Sequence, residues 1–172
     1  MSLAVNMTIF ETADTIVKQY LHGEEGLFIT TKRPSKQRID FGVHLRHKGL
    51  SEVPYAFIEV YEKDGHFGGS YETKFLAKRN ELRKLLFAIQ KKIPLCTINF
   101  VERGIDLLSP SVRKKFKLDL KAFFQDVEKY YNNQISYKEL ILKYVAFFIY
   151  STKPRYYQEN LDLINQINNT LG

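Results

Sequence analysis

The sequence predicts a protein of the α/β class, because its hydrophobic period changes along the chain. A stripe of apolar residues at helical spacing comes first, and segments in which apolar and polar residues alternate follow it. At 172 residues and 44% hydrophobic content, the chain can bury a core without a metal ion or a disulfide. No linker or internal repeat divides it, so residues 1–172 are expected to fold as one domain.

The first half of the chain is predicted to form one helix and three strands. The helix runs from about Thr8 to Leu21 and ends before Gly23. The strands are predicted at residues 26–31, 38–45 and 55–62, separated by the turn-rich sequences KRPSK and KGLSEVP. Strands separated by such turns can pair as neighbours in hairpins.

Two of these strands contain acidic residues in notable positions. Asp40 should project from the more polar face of the second strand, together with His44, because apolar residues occupy the alternate positions. The third strand, YAFIEVYE, is apolar on both sides and yet contains Glu59. A buried carboxylate costs several kcal/mol unless a cation or a metal ion pairs with it, so we expect a positive partner for Glu59.

The second half of the chain is predicted to contain one more strand and several helices. A helix is expected from about Thr73 to Lys92, with Phe75 on its apolar stripe, and a strand from Leu95 to Val101. Ser109 and the following proline are typical of a helix start. The sequence SYKE is a capping box before the apolar run LILKYVAFFIY, and a terminal helix follows Pro154.

Composition limits the classes of protein to which the chain can belong. No stretch approaches the ~18–20 uncharged apolar residues of a membrane span, and no secretion signal is visible. The single Cys96 has no partner for a disulfide within the chain, which predicts a reducing, cytoplasmic location. Lys and Arg outnumber Asp and Glu by 26 to 19, and the formal charge of +7 favours polyanionic partners such as nucleic acid.

The two acidic residues suggest a chemistry. If their strands are neighbours and both side chains face one way, Asp40 and Glu59 converge where a divalent metal would offset their repulsion. Mg²⁺ or Mn²⁺ held by two carboxylates can polarise a phosphodiester oxygen and activate a water for in-line attack. The pair therefore predicts the chemistry of a metal-dependent nuclease.

The segment RIDFGVHL is followed by a loop and then by FIEVYEK, within the order helix, three strands, helix and strand. This arrangement resembles the PD-(D/E)xK nuclease superfamily. The resemblance covers about residues 8–102 and implies a restriction-endonuclease-like αβββαβ core with a mixed central sheet. Residues 109–171 would then be a helical extension that packs on this core. The resemblance also implies that Asp40 is the metal-binding Asp and Glu59 the acidic member of the E-x-K half-motif.

The family's catalytic lysine is replaced by Tyr61 in this chain. Lys63 on the same strand, or Lys74 or Lys78 near the following helix, could take its place, as migrated lysines do in some relatives. Some relatives add an acidic metal ligand from the first helix, which would be Glu11 or Asp14 here; the alternative for Glu11 is an exposed residue near a helix N-terminus.

Structural roles are the alternative for the two main candidates. Asp40 could pair with Arg38, His44 or Lys36 on the sheet. Glu59 could be a buried structural acid paired with an Arg or Lys of the core.

Two groups of basic residues are candidates for phosphate contacts, although each residue could equally belong to a solvated helix face. The second group lies at a helix N-terminus, where the helix dipole favours anions and disfavours positive charge. A bound phosphate would relieve this unfavourable interaction. The predicted nucleic-acid-binding residues are Lys78, Arg79, Arg83, Lys84, Arg113, Lys114, Lys115 and Lys117.

Three functions follow from these observations. The first is a Mg²⁺-dependent or Mn²⁺-dependent endonuclease that hydrolyses phosphodiester bonds in DNA, with RNA as an alternative substrate. The second is a non-catalytic nucleic-acid-binding or regulatory protein with a decayed site. The third is a helical protein-interaction module, and the apolar stripes of the last helices could also form a homodimer surface.

Overall fold

The computed structural model describes residues 9–22, 24, 26–49, 53–62, 75–76, 78–99, 109–145, 147–148 and 154–172. These residues form helices and strands in the order α1 (Ile9–His22), β1 (Leu27–Ser35), β2 (Arg38–Leu45), β3 (Ala56–Tyr61), β4 (Phe75–Leu76), α2 (Arg79–Gln90), β5 (Leu95–Asn99), α3 (Pro110–Tyr131), α4 (Tyr137–Tyr144), β6 (Phe147–Phe148) and α5 (Pro154–Leu171).

A four-stranded sheet of order β1-β2-β3-β5 lies at the centre of the fold. The first three strands form an antiparallel meander, and β5 pairs with β3 in parallel. Parallel neighbours need a crossover connection, and the connection between these two strands contains α2. The predicted α/β class and the mixed sheet are therefore confirmed.

The two faces of the sheet have different partners. On one face, Ile39, Phe41 and Val43 of β2 pack with residues of α1 and α3. On the other face, Tyr61 and Leu95 pack with α2, α4 and α5. Asp40 and Glu59 alternate with the apolar residues of the first face, so they lie on the side covered by α2.

Local signals predicted several element bounds well. The β2 strand has the predicted bounds, Ser109 caps α3 with Pro110 as its first residue, and Ser136 caps α4. The β1 strand, however, continues to Ser35 through residues that were expected to form a turn. Because β1 is an edge strand, Pro34 costs no sheet hydrogen bond, and the register shifts between Lys32 and Ser35.

Two apolar segments that were expected to be helical form strands instead. Phe75 and Leu76 form β4 and pair in parallel with Phe147 and Phe148 of β6. The α2 helix begins only at Arg79, and α4 ends at Tyr144. Short apolar runs suit either structure, and here a pairing distant in sequence decided between them. No helix in the described part of the chain is long and apolar enough to span a membrane.

Candidate functional site

Asp40 and Glu59 lie directly opposite each other on β2 and β3, as register partners of an antiparallel pair. Both side chains therefore face the same side of the sheet, and their residues are only 5% and 1% exposed. Two carboxylates at this spacing and burial repel each other strongly unless cations neutralise them.

Lys84 of α2 supplies a positive charge to both carboxylates. Its Nζ atom lies 2.6 Å from Asp40 Oδ2, to which it donates a hydrogen bond, and 2.9 Å from Glu59 Oε2. The second contact is an ion pair without hydrogen-bond alignment, and Oε2 accepts no hydrogen bond from the described residues. The ammonium also lies 5.0 Å from the centre of the Phe57 ring, with which it forms a cation–π contact.

Arg38 and Tyr61 hold the outer sides of the two carboxylates. Arg38 donates from Nε to Asp40 Oδ1 at 2.8 Å and from Nη2 to Oδ2 at 2.7 Å. The Tyr61 hydroxyl donates to Glu59 Oε1 at 2.9 Å. We call Arg38, Asp40, Glu59, Tyr61 and Lys84 the carboxylate cluster. Its two acids and two cations balance in charge, and one of the anticipated structural partners of Asp40, Arg38, is present.

Burial sets the protonation equilibria of the cluster. It raises the pKa of Glu59, and the nearby charge of Lys84 opposes this increase. Burial, followed by the charge of Glu59, raises the pKa of Tyr61, so the phenol keeps the proton that it donates. Burial lowers the pKa of Arg38, but the hydrogen bonds to Asp40 and the electrostatic interactions with Tyr61, Glu59 and Asp40 together outweigh burial, and the net pKa is raised.

The oxygens of the cluster suit a hard divalent cation. Mg²⁺ is commonly bound by only one or two carboxylates, with waters and substrate phosphate as the other ligands. Glu59 Oε2 is a buried oxygen without an aligned donor among the described residues. No group of three or more His, Cys, Asp or Glu side chains suited to a metal occurs in the part of the chain that the structure describes. The fit therefore depends on Asp40 and Glu59, and Lys84 would have to move aside.

The structure brings Lys84, and not Lys78, to the two acids. Lys78 is an exposed N-cap residue of α2, and its backbone N–H donates to Glu81. Lys63 and Lys74 lie outside the described residues. Glu11 is exposed on α1, which packs on the opposite face of the sheet.

The burial of its helical neighbours explains why Lys84 faces the sheet. Glu81 and Ala88, three residues before and four after it, are both buried, so all three lie on one side of α2. The sequence predicts Lys84 only as a phosphate-binding residue, because the replacement for the catalytic lysine is expected nearer the start of the helix.

The other basic candidates fall on two sides of the molecule. Arg79 forms a two-pronged ion pair with Asp162 of α5, at 3.1 and 2.7 Å. Arg83 is exposed on α2. Arg113, Lys114, Lys115 and Lys117 are exposed at the start of α3, on the face of the sheet that lies opposite the carboxylate cluster.

A cleft of about 280 Å³ adjoins the carboxylate cluster, and Asp40, Lys84 and His44 line it. His44 Nε2 lies 3.0 Å from Thr30 Oγ1, and burial lowers the pKa of the ring. Gly42 lies between them, and a Cβ atom there would stand 2.8 Å from Thr30 Oγ1 and 2.9 Å from His44 Nε2. The glycine therefore leaves the space that this contact requires.

Comparison with known proteins identifies no relative. No protein-family model matches the chain, and neither a curated protein nor a solved structure does. The functional argument therefore depends on the geometry of the site.

Proposed function

We propose that this protein is a metal-dependent nuclease of the PD-(D/E)xK type that acts on DNA, with Asp40 and Glu59 as metal ligands and Lys84 as its lysine. The observation that carries the proposal is the contact of one lysine with both buried carboxylates, at 2.6 and 2.9 Å. An acidic pair and a lysine that meet at one point are the three parts that this chemistry needs.

The arrangement of the core supports the proposal. The central sheet has the meander and the parallel fourth strand that suit a restriction-endonuclease-like core, and the helix between β3 and β5 carries the lysine. In this interpretation the lysine has moved from the strand position held by Tyr61 to the helix above it.

Each residue of the carboxylate cluster has a role in the proposed reaction. Mg²⁺, when bound, would supply Lewis-acid polarisation of the phosphodiester and a water of lowered pKa. Arg38 orients Asp40 through its two hydrogen bonds, and Tyr61 orients Glu59. Lys84 would leave the carboxylates, place its ammonium beside the scissile phosphate and stabilise the charge that develops there.

A second candidate is a nucleic-acid-binding protein that has lost turnover. It is favoured by the charge balance of the cluster, because Arg38 and Lys84 already neutralise both acids. In that protein the ion pairs would be structural, and the bound nucleic acid would stay intact.

The proposal is tested by cleavage of supercoiled, linear duplex and single-stranded DNA with Mg²⁺ or Mn²⁺, comparing the wild type with Asp40→Asn, Glu59→Gln and Lys84→Met. Lys18→Met is the matched control, because Lys18 is an exposed lysine on α1. We expect metal-dependent nicking that the three cluster variants reduce at least ~100-fold and the control retains. Calorimetric titration with Mg²⁺ supplies a second readout. Binding of DNA without cleavage by the wild type would favour the second candidate.

A further inference from the structure

The cleft beside the carboxylate cluster does not end at the cluster. Phe57 and Phe87 form part of its wall, and Phe87 is 45% exposed although it is a large apolar residue. On α2, Phe87 follows Lys84 by three residues and precedes Lys91 by four, so the three side chains lie along one stripe. The stripe continues from the cluster toward the C-terminal end of α2.

A second cleft of about 490 Å³ lies at that end. Tyr55, Tyr130 and Tyr131 line it on one side, and Lys48, Lys91 and Lys92 supply positive charge. Pro54 lines both clefts, so they adjoin each other. We call the two clefts together the groove.

The aromatic wall of the second cleft is held in place. The rings of Tyr55 and Tyr131 stack at 4.7 Å, and the Tyr131 hydroxyl donates to the backbone carbonyl of Tyr55 at 2.6 Å. Tyr131 nevertheless remains 43% exposed. A rigid, partly exposed ring is a suitable platform for a planar ligand.

Two lysines of the second cleft, Lys91 and Lys92, carry charge that the described residues leave unbalanced. No carboxylate among these residues lies within ion-pair distance of Lys91 or Lys92. Lys92 also has a φ angle of 57°, at the position after the helix end that usually holds glycine. A lysine in this backbone conformation costs conformational energy. The binding of an anionic ligand would explain why a lysine occupies the position.

We propose that the groove binds one strand of nucleic acid, with phosphates at the lysines, bases stacked on Phe87 and Tyr131, and one phosphate at the carboxylate cluster. This inference deepens the proposed function and rests on nucleic acid being its substrate. It identifies the substrate class as a single strand or an unpaired end. Bases within a duplex stack on each other and cannot stack on these rings.

The test measures fluorescence anisotropy of a labelled oligothymidylate of about 12 nucleotides, without divalent metal, against a duplex of the same length. The groove variants are Phe87→Ala, Lys91→Gln and Lys92→Gly, and Lys18→Gln is the control on α1. Lys92→Gly is expected to fold well, because glycine relieves the left-handed backbone, and the interaction that its side chain gives up among the described residues is a 5.3 Å contact with the Tyr137 ring.

We expect the wild type to bind the single strand at least ~5-fold more tightly than the duplex, and each groove variant to lose about fivefold or more. The control should retain its affinity. Each lysine variant should also reduce the slope of log affinity against log salt by about 0.7.

Equal binding of duplex and single strand, unaffected by the groove variants, would overturn the inference, and so would an absence of binding. Because the assay contains no metal, its result is independent of cleavage. Selective strand binding by a protein that cuts no DNA would refute the nuclease and retain the groove.

Discussion

Lys84 neutralises negative charge of both acids in the carboxylate cluster. Its side chain is 24% exposed, while those of Asp40 and Glu59 are almost completely buried. The lysine therefore has access to solvent that the acids lack. It can move from the carboxylates to a phosphate when a bound metal ion neutralises the two acids in its place.

Removal of this charge should destabilise the fold. We expect Lys84→Met to lower the free energy of unfolding by about 2 kcal/mol at neutral pH, less than for a fully buried pair because Lys84 is partly exposed. Urea denaturation provides the measurement, with Lys91→Met as the matched control on the same helix.

A double-mutant cycle identifies the source of that loss. Combined with Glu59→Gln, Lys84→Met should cost less than the sum of the two single variants, because one unpaired acid has been removed. Additive losses would mean that Lys84 and Glu59 do not interact in the folded protein.

At the scale of elements, a second ion cluster joins α3 to α4. Asp126 of α3 accepts hydrogen bonds from Lys143 at 2.8 Å and from Tyr144 at 2.6 Å. Burial would raise the pKa of Asp126, but these two hydrogen bonds, together with the charges of Lys143 and Lys129, outweigh burial and the net pKa is lowered. None of these three residues, Asp126, Lys143 and Tyr144, lines the groove, so we assign the cluster a structural role.

The lowered pKa gives a pH dependence of known sign. The unfolded chain binds a proton at Asp126 more readily than the folded protein does, so the stabilisation is complete above the ordinary pKa of 3.8 and is lost as the pH falls through the lower folded value. Asp126→Asn should therefore reduce stability at pH 7 and flatten this acid limb. Thermal melts between pH 2 and 7 measure both effects; an unchanged acid limb in the variant would contradict the assignment.

At the scale of the whole molecule, two basic surfaces of the described residues contribute to the net charge of +7. One is the groove, and the other is the start of α3 around Arg113. Arg113 precedes Tyr131 by 18 residues, or about 27 Å along the helix, which exceeds the screening length of ~8 Å at physiological salt. The two surfaces should therefore act independently.

Their independence can be measured. Replacing Arg113, Lys114 and Lys117 together by Gln should slow association with any nucleic acid at low salt, through the loss of long-range attraction. The preference for a single strand should remain, and the effect should fade by ~0.5 M salt. Stopped-flow association at several salt concentrations tests this; a lost strand preference would place recognition at the start of α3 instead of in the groove.

Local patterns predicted the parts of the fold that depend on neighbours in sequence. The alternation in β2 gave its bounds, and Ser109 and Ser136 marked helix starts, since a cap satisfies backbone groups within one turn. Phe75 and Phe147 were assigned to helices, because the pairing of β4 with β6 joins residues about seventy positions apart. No local signal carries that pairing.

The candidate site likewise has features that follow from local sequence and features that depend on contacts distant in sequence. Sequence alone determined the basic charge, the α/β pattern and the two acids, because the charge of a chain and the period of its strands are properties of residues in order. Only the tertiary structure decided that Lys84 neutralises those acids and that Pro54 joins two clefts into a groove. The physical reason is that several lysines on or before α2 have similar sequence signals, and the packing of the helix across the sheet determines which one reaches the carboxylates.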